Sequence, residues 1–302
     1  MSAAETVRIV EMGPRDGLQN EKQSIPLAVK LALIERLADA GLREIEATSF
    51  VSPKWVPQMA DHDALMRTLP RRPGVRYPVL TPNLQGFEAA AAAGADRVAV
   101  FAAASEAFSR KNINCSIAES IARFLPVMAA ARERGISVRG YVSCVIACPY
   151  EGPVAPAQVA EVTQRLIDIG CDEVSLGDTI GVGTPATVSR MLEACARAVP
   201  LQQLAGHYHD TYGMAVANVQ ASLQMGLRCF DASVGGLGGC PYAKGATGNV
   251  ATEDVVYLLH GSGYDTGIDL DRLVDTAAWI SAQLGREPAS RVARALLAKR
   301  KP

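Results

Sequence analysis

Short apolar, β-branched segments recur along the chain, and successive segments begin about 30 residues apart. That interval fits one strand, one helix and two loops, which is the repeat of a parallel α/β fold. We expect eight strands from these segments: VRIVEM (7–12), REIEATSF (43–50), VRYPVL (75–80), DRVAVFA (96–102), SVRGYVS (137–143), DEVSLGD (172–178), LAGHYHD (204–210) and RCFDASV (228–234).

The segments between these strands show the spacing of amphipathic helices, with apolar residues at i, i+3 and i+4. Several of them end at a glycine, the residue most often found just past the C-terminus of a helix. The predicted helices are 27–40, 84–93, 117–134, 157–169, 184–199 and 215–225, followed by 270–284 and 289–299 near the end of the chain.

Eight strand–helix units predict a (β/α)₈ TIM barrel, and their even spacing favours a closed barrel over an open, doubly wound sheet. No Gly-x-Gly-x-x-Gly motif follows the first strand, which argues against a dinucleotide-binding sheet. We therefore expect one α/β domain over residues 1–302, with the barrel at about 5–265 and a C-terminal helical extension at about 266–302.

Composition excludes several classes of protein. The chain is 49% hydrophobic and 20% charged, which is a globular balance, and its net charge of -1 gives no attraction to nucleic acid or to an anionic membrane. No apolar run reaches the length of about 18 residues that a membrane-spanning helix needs. The seven cysteines form no Cys-x-x-Cys pair, and the first residues lack a secretory signal, so we expect a reduced, cytoplasmic protein.

Polar residues gather at the C-terminal ends of the predicted strands, where barrel enzymes have their active sites. They fall after or within the first, second, sixth and seventh strands and in the glycine-rich loop after the eighth. The residues are Glu11, Arg15 and Asp16; Glu46 and Ser49; Ser175 and Asp178; His207, His209 and Asp210; and Cys240, Lys244 and Asn249.

His207 and His209 indicate a metal site. Residues two apart on a strand point to the same face, so both imidazoles lie together near the strand end. In a closed barrel the last strands neighbour the first, so Asp16 can reach the same point, and Asn249 could add an amide oxygen. Such a set leaves open positions and suits Mg²⁺, Mn²⁺, Co²⁺ or Zn²⁺, with non-haem iron as a competing assignment. The alternative is a hydrogen-bonded pair of interior histidines.

Three further residues are candidates for chemistry. Cys240 lies in a loop with six glycines among residues 235–249, which is typical of an acid, base or nucleophile on a closing lid; the alternative is a rigid loop on the barrel rim. Arg15 can hold a carboxylate or stabilise an oxyanion, or can form a rim ion pair with Glu46. Asp178 is a candidate acid or base, or a partner that orients a histidine.

Six long motifs resemble the 3-hydroxy-3-methylglutaryl-CoA lyase family, and the resemblance runs from about Val7 to at least Leu284. They are EMGPRDGLQNE (11–21), IEATSFVSPKWVPQMAD (45–61), FSRKNINCS (108–116), SLGDTIGVGTP (175–185), HYHDTYGMAVAN (207–218) and GGLGGCPYAKGATGNVATEDVVYLLHG (235–261). A wider group, which includes isopropylmalate and homocitrate synthases and the carboxyl-transferase domain of pyruvate carboxylase, shares the Arg-Asp and His-x-His motifs but not the cysteine-containing loop. The resemblance thus implies a pyruvate-carboxyltransferase-like barrel.

The resemblance also implies the activity: cleavage of (S)-3-hydroxy-3-methylglutaryl-CoA into acetyl-CoA and acetoacetate, in leucine degradation and ketone-body metabolism. It implies a homodimer that takes a small-molecule CoA thioester, with no nucleic-acid or membrane partner. The site residues it implies are Asp16, His207, His209 and Asn249 as ligands of Mg²⁺ or Mn²⁺; Arg15, Ser49 and Ser175 as substrate contacts; Cys240 as the catalytic thiol; and Glu46 and Asp178 as residues that support activity.

Other functions stay open at this point. The same catalytic set would serve a lyase for a larger 3-hydroxy-3-alkylglutaryl-CoA, as in terpenoid breakdown. A Claisen-condensing acyl-CoA synthase and a non-catalytic CoA- or metal-binding protein are more distant alternatives. The base that removes the substrate's hydroxyl proton is also open among Asp178, His207 and Asp16.

Overall fold

A computed structural model describes residues 4–239 and 248–300. Within these ranges, eight parallel strands form one curled sheet. The strands are β1 (Arg8–Glu11), β2 (Thr48–Ser49), β3 (Val79–Leu80), β4 (Arg97–Ala103), β5 (Ser137–Ser143), β6 (Glu173–Asp178), β7 (Leu204–Tyr208) and β8 (Cys229–Ala232). Seven lie inside the segments that the sequence predicts, and β4 ends one residue beyond its segment, so the prediction of an α/β fold with eight strands is confirmed.

The order of the strands in the sheet is β1-β8-β7-β6-β5-β4-β3-β2. Each strand from β3 to β8 pairs in parallel with the strand before it in the chain, and β1 pairs in parallel with β8. A parallel bridge joins Glu11 to Ile45, and the Glu11 and Glu46 amides donate to the Glu44 and Glu11 carbonyls, both at 2.9 Å. These contacts place β1 beside the chain that leads into β2, so the two ends of the sheet meet.

Helices connect the strands. They are α1 (Leu27–Asp39), α2 (His62–Thr68), α3 (Leu84–Ala92), α4 (Glu106–Ile113), α5 (Ile117–Arg134), α6 (Pro156–Ile169), α7 (Pro185–Ala198), α8 (Ala215–Gln224), α9 (Thr252–Gly261), α10 (Leu270–Gln283) and α11 (Arg291–Lys299). The helices predicted from the sequence do not include α2, α4 or α9. The sequence prediction also lacks a short hairpin of Ala147–Cys148 and Gly152–Pro153. None of the described helices is long and apolar enough to cross a membrane.

Glycines end the helices as the sequence predicts. Gly41, Gly94, Gly135, Gly170 and Gly226 follow α1, α3, α5, α6 and α8, and all five have positive φ angles, from 66° at Gly135 to 117° at Gly170. Glycine has no Cβ to clash in this region of backbone conformation, so the chain can leave the helix and turn towards the next strand within a few residues.

Two layers of core result from the alternation of side chains along the strands. The larger apolar cluster lies between the sheet and the helices. A smaller cluster lies inside the curled sheet and includes Val10, Ala99, Tyr141 and Ala205. At the C-terminal end of the chain, α10 packs against α1 and α11 packs against α9 and α10.

A matched pair of glycines tests the turn chemistry. Gly41 has φ of 102°, and a Cβ there would lie 2.2 Å from the carbonyl oxygen of Gly267, whereas a Cβ at Gly135 would meet no atom within 4 Å. Gly135→Ala should cost about 1 kcal/mol of unfolding free energy, because alanine tolerates the left-handed region poorly. Gly41→Ala should cost clearly more, because the backbone of the facing segment must also move. Urea unfolding followed by circular dichroism measures both; equal losses would contradict this account.

Candidate active site

The turn after β1 carries two of the predicted site residues. Residues Gly13–Gly17 form one short helical turn, and Arg15 and Asp16 lie on it. The buried carboxylate of Glu11 holds this turn in place. It accepts hydrogen bonds from the backbone N–H groups of Gly13 at 2.8 Å and Val234 at 2.9 Å and from the Thr252 hydroxyl at 2.7 Å. The turn is thereby fixed against the segment that follows β8, at the C-terminal end of the sheet.

Asp16, His207 and His209 converge at this end of the sheet. Their side-chain donor atoms all lie within 4.8 Å of one another, which is a grouping that could hold a metal ion. The Nε2 atoms of His207 and His209 are 3.3 Å apart. The structure therefore brings together the three residues that the strand spacing and the expected closure of the sheet predict to be neighbours.

The charges of this cluster suit a divalent cation. Burial opposes the negative charge of Asp16, but Arg15 and the two histidines outweigh it and lower the pKa of Asp16 to about 2. Burial, assisted by the nearby His207, lowers the pKa of His209 to about 4. At neutral pH the cluster thus presents an ionised carboxylate and a neutral imidazole, which are the protonation states that metal ligands require.

Asn249 lies beside this cluster. A β-bridge pairs it with His209, and its amide nitrogen donates to Asp16 Oδ2 at 2.7 Å and to the Leu237 carbonyl at 3.3 Å. The predicted fourth ligand is therefore within reach of the cluster, with its amide nitrogen towards Asp16.

Arg15 is buried and held by two carboxylates. Its Nε donates to Glu46 Oε2 and its Nη1 to Asp16 Oδ1, both at 2.6 Å, and the guanidinium lies over the Tyr141 ring. The ion pair with Glu46 that the sequence leaves as an alternative is thus present. Arg15 also lines a large cavity that opens over the Asp16–His207–His209 cluster. Burial raises the pKa of Glu46, and the charge of Arg15 opposes that shift.

Asp231, in the middle of β8, is a site residue that the sequence analysis does not identify. It is fully buried, and its Oδ2 lies 3.0 Å from His207 Nδ1 and accepts from the Ser175 hydroxyl at 2.7 Å. Burial opposes its charge, but Arg139 and His207 hold the pKa of Asp231 well below its usual range. The sequence holds one sign of this role, which is a single carboxylate inside the otherwise largely apolar segment RCFDASV.

Asp178, the candidate acid or base at the end of β6, is buried and hydrogen-bonded within its own loop. Its carboxylate accepts from the backbone N–H groups of Gly183 at 2.7 Å and Val182 at 3.3 Å, and burial raises its pKa. Within residues 4–239 and 248–300, no hydrogen bond joins Asp178 to either histidine of the cluster. It orders the loop after β6, whereas Asp231 is the carboxylate that lies beside His207.

The other predicted residues divide into three groups. Ser175 lines the cavity, whereas Ser49 is buried outside the cavity lining and its hydroxyl accepts from the Val51 amide at 3.4 Å. Cys240 and Lys244 lie outside the residues that the structure describes.

A cavity of about 840 Å³ opens over the cluster. Its floor includes Arg15, Asp16, His207 and His209, and its mouth includes the exposed side chain of Trp55. Cavities of this size enclose drug-sized ligands. The cavity can therefore bring a small molecule to the metal-binding grouping and the buried guanidinium together.

A potential metal centre at the carboxyl ends of parallel strands, beneath a cavity, is the site architecture of barrel enzymes. The family model HMGL-like matches residues 6–280. A mitochondrial hydroxymethylglutaryl-CoA lyase of Bos taurus is 60% identical over 96% of this chain and 89% of its own length. A 3-hydroxy-3-isohexenylglutaryl-CoA/hydroxymethylglutaryl-CoA lyase of Pseudomonas aeruginosa is 60% identical over 99% of this chain and 100% of its own.

Solved structures agree with these relatives. The crystal structure of hydroxymethylglutaryl-CoA lyase from Pseudomonas aeruginosa superimposes with a TM-score of 0.96 at 60% identity, and the match covers 99% of this chain and 100% of that one. The chain belongs to the hydroxymethylglutaryl-CoA lyase family.

His209→Ala tests the metal-binding grouping. Removing a residue that only orients a metal ligand typically weakens binding by about 10–100-fold. Removing His209, which is itself one of three neighbouring donors, should therefore weaken Mn²⁺ binding by more than about 100-fold. His260→Ala is the matched control, because His260 is exposed and its side chain is hydrogen-bonded only to Thr266 among the described residues. Isothermal titration calorimetry measures the Mn²⁺ affinity of both variants. Unchanged binding by His209→Ala would contradict the assignment.

Proposed function

We propose that this protein is a divalent-metal-dependent lyase that cleaves (S)-3-hydroxy-3-methylglutaryl-CoA into acetyl-CoA and acetoacetate. The observation that carries the proposal is the placement of Arg15 beside the Asp16–His207–His209 grouping on the floor of one cavity. The sequence identity of 60% to named lyases over nearly the whole chain supports the substrate.

The reaction sets two demands on the site. Breaking the bond between carbons 2 and 3 requires loss of the tertiary hydroxyl proton and stabilisation of a thioester enolate. Asp16, His207, His209 and, with its amide turned, Asn249 would hold Mg²⁺ or Mn²⁺. When bound, the ion supplies a Lewis acid for the hydroxyl oxygen.

Arg15 meets the second demand. Its guanidinium is held by Glu46 and Asp16 before substrate arrives, so it offsets the enolate charge with little reorganisation. Ser175, which lines the same cavity, is a further substrate contact. Ser49 is buried outside the lining and has that role only as the sequence resemblance implies it.

The residues that transfer protons are assigned from the sequence resemblance. Cys240, which lies outside the described residues, delivers a proton to the enolate carbon. Asp178 is occupied by backbone donors. Burial raises its pKa, which suits a base for removal of the hydroxyl proton.

A second candidate function is cleavage of a larger 3-hydroxy-3-alkylglutaryl-CoA. The Pseudomonas aeruginosa relative that carries both activities in its name is as similar to this chain as the Bos taurus lyase, at 60% identity. Comparing kcat/KM for the methyl and isohexenyl substrates decides between the two. A ratio that favours the isohexenyl substrate would make the second function the physiological one.

We also infer the larger organisation of the protein. Residues 1–302 form one pyruvate-carboxyltransferase-like domain whose curled sheet closes as a (β/α)₈ barrel over about 5–265, extended by the helices of about 266–302. The Glu11–Ile45 bridge and the packing of α10 on α1 support this arrangement. The enzyme acts in the cytoplasm. It forms a homodimer, and light scattering of the purified protein would test this oligomeric state.

Acetoacetate release from 3-hydroxy-3-methylglutaryl-CoA tests the proposed reaction. We expect turnover with added Mg²⁺ or Mn²⁺, none after chelator treatment, and recovery when metal is returned. Arg15→Gln should lower kcat by about 10²–10³, as the loss of one preorganised donor does elsewhere. Arg67→Gln is the control, because Arg67 forms only an exposed ion pair with Asp63 among the described residues. Wild-type protein that binds Mn²⁺ yet releases no acetoacetate would exclude the activity.

A further inference from the structure

We propose that Asp231 fixes the tautomer of His207, so that the proton stays on Nδ1 and the Nε2 lone pair is free for the metal. Asp231 is then a positioning residue, since it touches neither substrate nor metal. The inference rests on the proposed metal site, but the tautomer itself can be measured in protein without metal.

The strand register brings the two residues together. Asp231 of β8 pairs with His207 of β7 in the parallel ladder, so both side chains leave the sheet on the same face. His207 Nδ1 lies 3.0 Å from Asp231 Oδ2, and His207 Nε2 faces His209 Nε2 at 3.3 Å. The two ring nitrogens therefore have different partners, a carboxylate on one side and the metal-binding grouping on the other.

The surroundings of Asp231 make it an acceptor. Arg139, which has no accepting atom, donates to both of its oxygens, at 2.7 Å and 3.1 Å, and the Ser175 hydroxyl donates to Oδ2 at 2.7 Å. A fully buried carboxylate among these donors is ionised and can only accept from His207. Whenever the imidazole carries a single proton, that proton is then on Nδ1, which leaves Nε2 unprotonated.

The position of Asp231 is itself rigid. Arg139 is fully buried and its Nε also donates to Glu173 Oε1 at 2.6 Å, so the guanidinium is held between two carboxylates on different strands. A carboxylate tied to this guanidinium cannot turn away from His207 without leaving a buried charge unpaired, which is costly. His207 is therefore presented in one ring orientation before any metal binds.

A structural role alone is the competing explanation, in which Asp231 serves only to balance the charge of Arg139. Glu173 provides the matched comparison. It is the other carboxylate on Arg139 and is likewise buried, but its described hydrogen bonds are to Arg8 and Arg139 and none is to His207. Asp231→Asn and Glu173→Gln each remove one negative charge from the same guanidinium, and only the first changes the partner of His207.

The experiment measures Mn²⁺ affinity by titration calorimetry, without substrate, and the His207 tautomer by ¹⁵N imidazole NMR of metal-free protein. The chain has four histidines, so a His207→Asn sample assigns the signals. We expect the Nδ1–H tautomer in wild type, a shift towards Nε2–H in Asp231→Asn, and Mn²⁺ binding weakened by about 10–100-fold. Glu173→Gln should match wild type in both readouts even where its unfolding free energy is lower.

Two results would overturn the proposal. One is wild-type tautomer and affinity in Asp231→Asn; the other is an equal loss of affinity in Glu173→Gln, which would assign the effect to charge balance at Arg139. If Asp231→Asn fails to fold, the wild-type spectrum decides, because an Nε2–H tautomer in metal-free protein contradicts the inference. Wild type that shows the Nδ1–H tautomer but neither binds Mn²⁺ nor cleaves substrate would instead contradict the proposed function.

Discussion

The buried guanidinium of Arg139 is the interaction on which the interior of this structure depends. A charge with no solvent exposure costs several kcal/mol unless it is paired and hydrogen-bonded. Arg139 of β5 meets that requirement with Glu173 of β6 and Asp231 of β8, so that three strands are tied by one side chain. The same pairing leaves Asp231 beside His207, and so the condition for burying a charge also sets the position of a site residue.

From Arg139 a hydrogen-bonded network extends across the inside of the sheet. Arg139 donates to the Tyr141 hydroxyl, Tyr141 donates to Glu46, and Glu46 accepts from Arg15. Arg15 in turn donates to Asp16, which belongs to the metal-binding grouping. The network joins the guanidinium proposed to stabilise the enolate to the residues proposed to hold the ion. Groups fixed in this way before substrate arrives need little reorganisation during the reaction.

The sequence predicts those parts of the molecule that follow from local periodicity. The eight strands are predicted because each leaves a short apolar, β-branched segment in the sequence. The helix ends are predicted because the positive φ angle that follows a helix favours glycine. His207 and His209 share a face because strands have a period of two, and Asp16 joins them because the ends of the sheet meet.

Other features depend on contacts between distant segments. Asp178 and Asp16 both lie at the C-terminal end of a strand. The carboxylate of Asp178, however, accepts hydrogen bonds from the backbone N–H groups of its own loop, which the periodicity of the sequence does not predict. The role of Asp231 depends on the register of β7 against β8 and on the presence of Arg139, which lies 92 residues earlier in the chain. The helical turn of Gly13–Gly17 similarly depends on Glu11 and the segment after β8.

The central claim is that Asp16, His207 and His209 bind one divalent ion beside Arg15. Anomalous diffraction at the manganese edge, from crystals of the full chain grown with Mn²⁺, tests it directly. We expect a single strong peak within bonding distance of the Nε2 atoms of both histidines and of the Asp16 carboxylate. A peak bound through His207 Nδ1, a peak elsewhere, or no peak from protein saturated with Mn²⁺ would contradict it.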